Sequence, residues 1–173
     1  SLSVKGKSAV VLGDEHELGG VRDVVVACTP KGPGPVMASR SDANTNTAGF
    51  LILGPPNQIA YAIPSGSSPG AGEIPLAVDH AGNLYVVEGD ISGSATIFKN
   101  QTPLATIPAT SIGRLAVDSG GNLYLSDPVF HRVFRVDQAG NVIVFAHSGH
   151  GVQHPFGLAI DSQDNLLVAN NPP

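Results

Sequence analysis

The chain has 173 residues, 42% hydrophobic and 13% charged, which suits one folded domain with a real core and excludes a disordered chain. A formal net charge of −5 with no basic face argues against a nucleic-acid partner, and no apolar run approaches the roughly 18 residues of a membrane span. Its 21 glycines and 14 prolines point to many short strands joined by turns.

The chain opens at Ser1 with neither an initiator Met nor a signal-like leader, which reads as a processing site or a cut boundary. Two β-like runs, at 8–12 and 21–28, flank an acidic segment at 13–20. Its Asp14-Glu15-His16-Glu17 cluster reads as a solvated loop, because adjacent side chains in extended chain point opposite ways and converge poorly on a metal. Cys28, the single cysteine, has no intramolecular disulfide partner and reads as an inert thiol in an apolar run.

Residues 30–47 read as a long surface loop. Pro30, Pro33 and Pro35 remove backbone donors, so a central strand is not expected there, only a short edge strand at 36–38. Residues 50–63 suggest a hairpin, and the Ser/Gly-rich stretch 64–72 a loop. The first 73 residues thus form an irregular β region.

From residue 74 the strands are regular. One phrase is written three times: Leu76-Ala77-Val78-Asp79-x-x-Gly82-Asn83-Leu84-Tyr85-Val86, then Leu115-Ala116-Val117-Asp118-x-x-Gly121-Asn122-Leu123-Tyr124-Leu125. The third copy is Leu158-Ala159-Ile160-Asp161-x-x-Asp164-Asn165-Leu166-Leu167-Val168. The aspartates recur in steps of 39 and 43 residues, the spacing of four-stranded propeller blades. Strands are expected at 76–79, 83–88, 95–99 and 104–107, then at 115–118, 122–127, 132–137 and 141–146, then at 158–161 and 165–170. The last unit has two strands where the others have four. The fold class is therefore all-β, a propeller-like array of antiparallel four-stranded blades with the last one incomplete.

Asp-x-x-Gly-Asn is turn chemistry. The carboxylate caps backbone N–H groups of the turn, and the glycine supplies the positive φ that closes it. The phrase recurs at Asp137, Gly140 and Asn141 between the third and fourth strands of the second unit, so Asp79, Asp118, Asp137 and Asp161 are read as structural. Asp164 stands where the other copies have glycine, a position that aspartate tolerates.

The stretches 114–127 and 155–161, with His131-Arg132-Val133-Phe134-Arg135-Val136-Asp137, resemble the NHL repeat. The resemblance is specific over 114–170, good over 74–107 and lost over 1–73. It implies a β-propeller, commonly six-bladed, that binds protein, RNA or ligand; relatives with similar blades include lactonase-type and lyase-type enzymes. Asp90-Ile91-Ser92-Gly93-Ser94 departs from the pattern where the His-Arg-Val signature would fall. Two and a half units do not close a six-bladed ring, which leaves three routes: the chain's own N-terminal runs, strands of another chain, or the rest of a longer protein.

Three sets of residues carry candidate chemistry. Glu88, Asp127 and Asn170 share one position at the end of each second strand, where they either cap the next turn or line a divalent-cation site, calcium by preference for oxygen ligands. His147, His150 and His154 have a spacing that zinc accepts, set in the loop between two units. Asn100 heads an Asn-Gln-Thr sequon and is a candidate glycosylation site if the protein is exported. The functional expectation is a non-enzymatic module for binding or self-assembly without a cofactor. It would be extracellular or at the cell surface, and would recruit protein, a second copy included, by strand pairing at the unfinished blade. A filament subunit is one form of this. The rivals are a calcium-dependent lactonase or lyase-type propeller and a fragment of a larger sensor protein.

Overall fold

The computed structural model describes residues 20–29, 32–42, 47–54, 58–59, 75–89, 93–100, 102–109 and 111–171. Their fourteen strands form four antiparallel sheets that follow one another along the chain. Sheet A holds β1 (Gly20–Thr29), β2 (Gly32–Asp42), β3 (Thr47–Gly54) and β4 (Gln58–Ile59). Sheet B holds β5 (Leu76–Val78), β6 (Leu84–Gly89), β7 (Ala95–Lys99) and β8 (Thr102–Ile107). Sheet C holds β9 (Leu115–Val117), β10 (Leu123–Asp127), β11 (Arg132–Val136) and β12 (Val142–His147). Sheet D has only β13 (Pro155–Ile160) and β14 (Leu166–Asn170). A single 3-10 turn, Ser148–His150, lies between β12 and β13.

Each sheet is a meander in sequence order, so the first strand of each forms one border. Those border strands pack in succession, β1 on β5, β5 on β9 and β9 on β13, with β10 also against β13. The sheets therefore stack face to face along an arc, the arrangement of propeller blades.

Burial follows from that stacking. β10 is buried along its whole length because it has a neighbour on each face. Toward sheet B, Leu123, Leu125, Phe134 and Val136 meet Tyr85, Val87, Ile97 and Ile107 in the main core. Toward sheet D, Tyr124 and Val133 meet Leu158, Ile160, Leu166 and Val168. Each large apolar side chain buried here contributes about 1.5–3 kcal/mol relative to exposure. Small residues sit on the inner strands, with Ala77 and Ala116 both buried.

The strands expected from residue 76 onward are all present, within two residues at their ends except that β13 starts three residues earlier than expected, at Pro155. The N-terminal reading needs two corrections. Within the stretch 30–47, expected as a loop with a short edge strand at 36–38, residues 32–42 form β2, eleven residues in the interior of sheet A. Pro33 and Pro35 are accommodated because β2 is paired on both sides only from Val36 on, and the register to β1 shifts where they fall. Second, the run at 21–28 begins a sheet of its own beside sheet B, so it is not a strand of the unfinished sheet D. The expected hairpin within 50–63 is β3–β4. The run at 8–12, the acidic segment at 13–19, the loop at 64–72 and Asp90 to Ser92 lie outside the described residues.

Candidate functional site

The repeated aspartates are saturated by their own turns. Asp79 Oδ1 accepts the N–H groups of Ala81 (3.0 Å) and Asn83 (2.8 Å), and Oδ2 accepts Asn83 Nδ2 (2.7 Å) and the Tyr85 hydroxyl (3.0 Å). Asp118 repeats this with Asn122 and the Tyr124 hydroxyl, whereas Asp137 and Asp161 use backbone N–H groups and Asn141 or Asn165. The position after the variable pair has positive φ in every copy, 85° at Gly82, 78° at Gly121, 84° at Gly140 and 61° at Asp164. At Asp79, Asp137 and Asp161 these donors lower the carboxyl pKa. At Asp137 and Asp161 the Asn141 and Asn165 amides lead. At Asp79 burial pulls upward, but the Asn83 and Tyr85 donors outweigh it.

A depressed carboxyl pKa contributes stability that is present above the unfolded value, near 3.8, and lost as pH falls through the folded values. The melting temperature is therefore expected to be level from about pH 7 to 5 and to fall steeply below about pH 4. In the triple variant Asp79→Asn, Asp137→Asn, Asp161→Asn that acid step should shrink. An acid step of unchanged depth would assign it to other groups.

Two turn residues, Gln138 at a variable position and Asp164 at the glycine position, join neighbouring sheets. Gln138 bonds Lys99, the Tyr85 hydroxyl and the Gly121 carbonyl, linking sheets B and C. Asp164 accepts the Ser119 N–H (3.0 Å) and hydroxyl, linking sheets C and D. Asn100 has φ 47°, accepts the Leu84 N–H (2.9 Å) and donates Nδ2 to Asn83 (2.8 Å), so its amide already serves a turn.

The meander places the remaining candidates at the opposite end of the strands. Asp127 is fully buried. It accepts the Phe130 N–H (3.1 Å) and pairs with Arg132 Nε (2.9 Å). Arg132 donates in turn to the Pro108 carbonyl (2.6 Å) and lies over the rings of Phe134 and Phe130. Asn170 accepts the Gln153 N–H (3.0 Å) and gives Nδ2 to the Gly151 carbonyl (2.8 Å), holding the loop before β13. Glu88 faces Thr96 across the ladder rather than an arginine, and burial raises its carboxyl pKa. Each of the three sits in its own sheet. Asp127 and Asn170 act as caps.

His147 and His150 have rings 4.2 Å apart, with His147 capping the 3-10 turn. His154 is separate and stacks edge-on with His131 at 4.1 Å, and its N–H donates to His131 Nδ1 (3.0 Å). Both His131 and His154 have positive φ, and His154 Nδ1 is buried without a protein partner. Among the described residues no three His, Cys, Asp or Glu side chains converge on one point. Sequence reasoning missed His131, Arg132 and Ser126. Ser126 is fully buried, takes the Arg114 N–H and donates to the Phe156 carbonyl, both at 2.9 Å.

Among the described residues, the large exposed apolar side chains belong to sheets C and D and the loop after β10. Tyr85 and Tyr124 are 0% and 7% exposed because each is covered by the next sheet, whereas Leu167, at the same place in β14, is 55% exposed. Phe156 is 44% exposed, and Ala159 and Ala169 are also exposed. Ile143 and Phe145 on β12 are 50% and 45% exposed, and Phe145 packs edge-on against Tyr124, the side on which sheet D lies. A third and fourth strand of sheet D would cover them. Among the described residues β14 pairs with β13 alone. Leu84 exchanges its N–H and C=O with Asn100, on the side of β7. By the same register Leu166 and Val168 turn theirs to the open edge.

No protein-family model matches the chain, and no curated protein matches it. The NHL likeness thus remains one of motifs. Solved structures do resemble it. Virginiamycin B lyase from Staphylococcus aureus, a β-propeller, aligns with TM-score 0.50 and 11% identity over 87% of this chain and 48% of its own. A protein of unknown function from Bacteroides caccae aligns with TM-score 0.52 and 17% identity over 83% of this chain and 51% of its own. The chain spans about half the length of these structures, and at such identities the likeness speaks for the fold alone: an all-β, propeller-like stack of antiparallel sheets.

Proposed function

We propose that this is a non-enzymatic β-propeller-like module, working outside the cell or at its surface, that binds protein by accepting β-strands at its last sheet. The observation that carries the reading is Leu167, exposed where Tyr85 and Tyr124 are buried, beside a strand edge that no strand pairs with among the described residues. Strand addition joins main-chain hydrogen bonds at such an edge to apolar contacts on the adjacent face. The extracellular setting rests on composition, with 9 Lys and Arg in a chain rich in Gly and Pro. The binding reading invokes no cofactor.

Hydrogen exchange tests this reading. In dilute protein the Leu166 and Val168 amides should exchange at least about 100-fold faster than those of Leu123 and Leu125, the core strand of sheet C. Equal protection in a single dilute chain would mean that the edge is already covered and would overturn the docking reading.

A second reading is favoured by the His131–His154 pair, with its positive φ values and the buried, unpartnered His154 Nδ1. It is a metal-assisted enzyme of lactonase or lyase type, with Glu88, Asp127 and Asn170 as oxygen donors to calcium. Calcium titration followed by the melting temperature separates the two, since an unchanged melting temperature at millimolar calcium counts against the enzyme.

A further inference from the structure

We infer that the connection between sheets C and D is an acid-sensitive clasp, closed on neutral imidazoles and released as they take up protons below about pH 6.5. The inference stands apart from the docking reading and holds whatever sheet D binds. Four of the chain's six histidines gather at this one connection. His147 ends β12, His150 lies in the 3-10 turn, His154 precedes β13, and His131 reaches across from the β10–β11 turn.

Three of them do the same job. The Gly149 N–H donates to His147 Nδ1 (3.1 Å), the His147 N–H to His150 Nδ1 (3.4 Å) and the His154 N–H to His131 Nδ1 (3.0 Å). A ring nitrogen accepts only through its bare lone pair, and in the imidazolium both nitrogens carry hydrogen. Protonating His131 therefore turns Nδ1 from an acceptor into a donor that faces the His154 N–H, and the bond between the two loops is lost. The fourth histidine opposes protonation too. His154 Nδ1 is buried without a protein partner, so a proton placed there has nothing to accept it. The rings also lie in two close pairs, His131 with His154 at 4.1 Å and His147 with His150 at 4.2 Å, so a second charge in either pair meets the first. Those spacings leave no room for a shared zinc, since zinc–nitrogen bonds of about 2 Å at a tetrahedral angle set two ring centres about 5 Å apart.

Among the described residues no unpaired carboxylate is placed to hold an imidazolium there. The charged groups of the surrounding elements are Asp127 and Arg132, which pair with each other on the β10–β11 hairpin, and Arg114, which lies over Phe156. β12 adds only His147, opposite Arg132, and β13 and β14 carry no charge. Glu88 in sheet B responds to burial and to no charged neighbour. A proton that only the open form accepts leaves closure intact above about pH 6.5 and weakens it about tenfold for each pH unit below.

The release is local. Sheet D stays seated on sheet C, because Ser126 holds the Phe156 carbonyl and Asp164 holds Ser119 at the far end. The Ser119 donors keep the Asp164 carboxyl below the usual range, so it remains charged where the histidines titrate. Gln153 and Gly151 remain tied to Asn170. What comes free is the turn at 148–151 and the bond from His154 to the loop of sheet C. Residues 148–151 are exposed, and such a segment opens before the core melts, so the melting temperature of the core does not report it.

Amide hydrogen exchange of the full chain, corrected for the intrinsic rate at each pH, tests this between about pH 7.5 and 5.5. Protection of the His154 amide should fall about 10-fold, and that of Gly149 should fall with it, while Gln153, Leu123 and Leu125 hold theirs. His131→Asn keeps an acceptor near the place of Nδ1, suits the positive φ and does not titrate, so the fall at His154 should vanish and the fall at Gly149 remain. Level protection at His154 in the wild type would overturn the clasp, and that profile decides by itself should the variant not fold. An equal fall at Leu123 and Leu125 would also overturn it, by assigning the loss to general acid unfolding. So would a fall at His154 that persists undiminished in His131→Asn.

Discussion

Replacing Asp127 with alanine is expected to cost about 3 kcal/mol of stability and to loosen the junction of sheets B and C. The carboxylate is fully buried and holds two donors, the Phe130 N–H and Arg132 Nε. Removing one partner of a buried ion pair costs about 3–5 kcal/mol because the other charge stays behind uncompensated. The lower end applies, since the Arg132 side chain is 22% exposed and keeps its bond to the Pro108 carbonyl. Asp127→Asn preserves an acceptor for the Phe130 turn and loses the charge, so it should fall between the wild type and alanine. Urea unfolding with an unchanged slope reads these differences. An alanine variant within about 0.5 kcal/mol of the wild type would remove Asp127 from the structural framework and return it to the candidates for a metal-binding role.

What was legible in the sequence divides at residue 74. Beyond it, turn chemistry is local. Asp79, Gly82 and Asn83 specify a hairpin within a few residues, and its repetition marks the flanking strands. The capping roles of Asp127 and Asn170 follow from their repeat positions and are what the structure shows. Before residue 74 the local signals mislead. Pro33 and Pro35 argue against an interior strand, but only the part of β2 from Val36 on is paired on both sides, and nothing local reveals that.

Contacts between sheets were illegible for another reason. Gln138 lies in a turn and reaches Tyr85 in the preceding sheet, while Asp164 reaches back to Ser119. Gln138 occupies a variable position of the repeated phrase, where no turn rule constrains the residue, and Asp164 occupies the glycine position, where the turn rule sets the backbone but says nothing of what a side chain there would reach. The stacking of His131 on His154 likewise joins positions 23 residues apart in two loops, with no periodicity to announce it. The unfinished blade was visible as a count of strands. Its consequence, the exposure of Leu167 where its counterparts are buried, required the stack itself.

A paired substitution at two glycines separates the strain of a turn from the packing of one sheet on the next. Gly140 and Gly151 have nearly the same backbone, with φ of 84° and 81°. Alanine at either position pays about 1–2 kcal/mol for the left-handed conformation. Around Gly151 a Cβ meets nothing within 4 Å, so Gly151→Ala should cost about that and no more. At Gly140 a Cβ would stand 2.4 Å from the Leu104 carbonyl oxygen, which belongs to β8 of sheet B. A strand carbonyl does not rotate aside as a side chain does, so sheets B and C must part locally and the apolar layer between them loosens. Gly140→Ala should therefore lose about 3–4 kcal/mol, roughly twice the loss at Gly151 and near the upper end for single substitutions. The Asp164 turn shows that a side chain at φ 61° is tolerated where the space is open, which assigns the difference to the neighbouring sheet. Equal losses in the two variants, read from urea midpoints, would mean that the C-terminal turn of sheet C does not bear on sheet B and that the stack is looser than drawn.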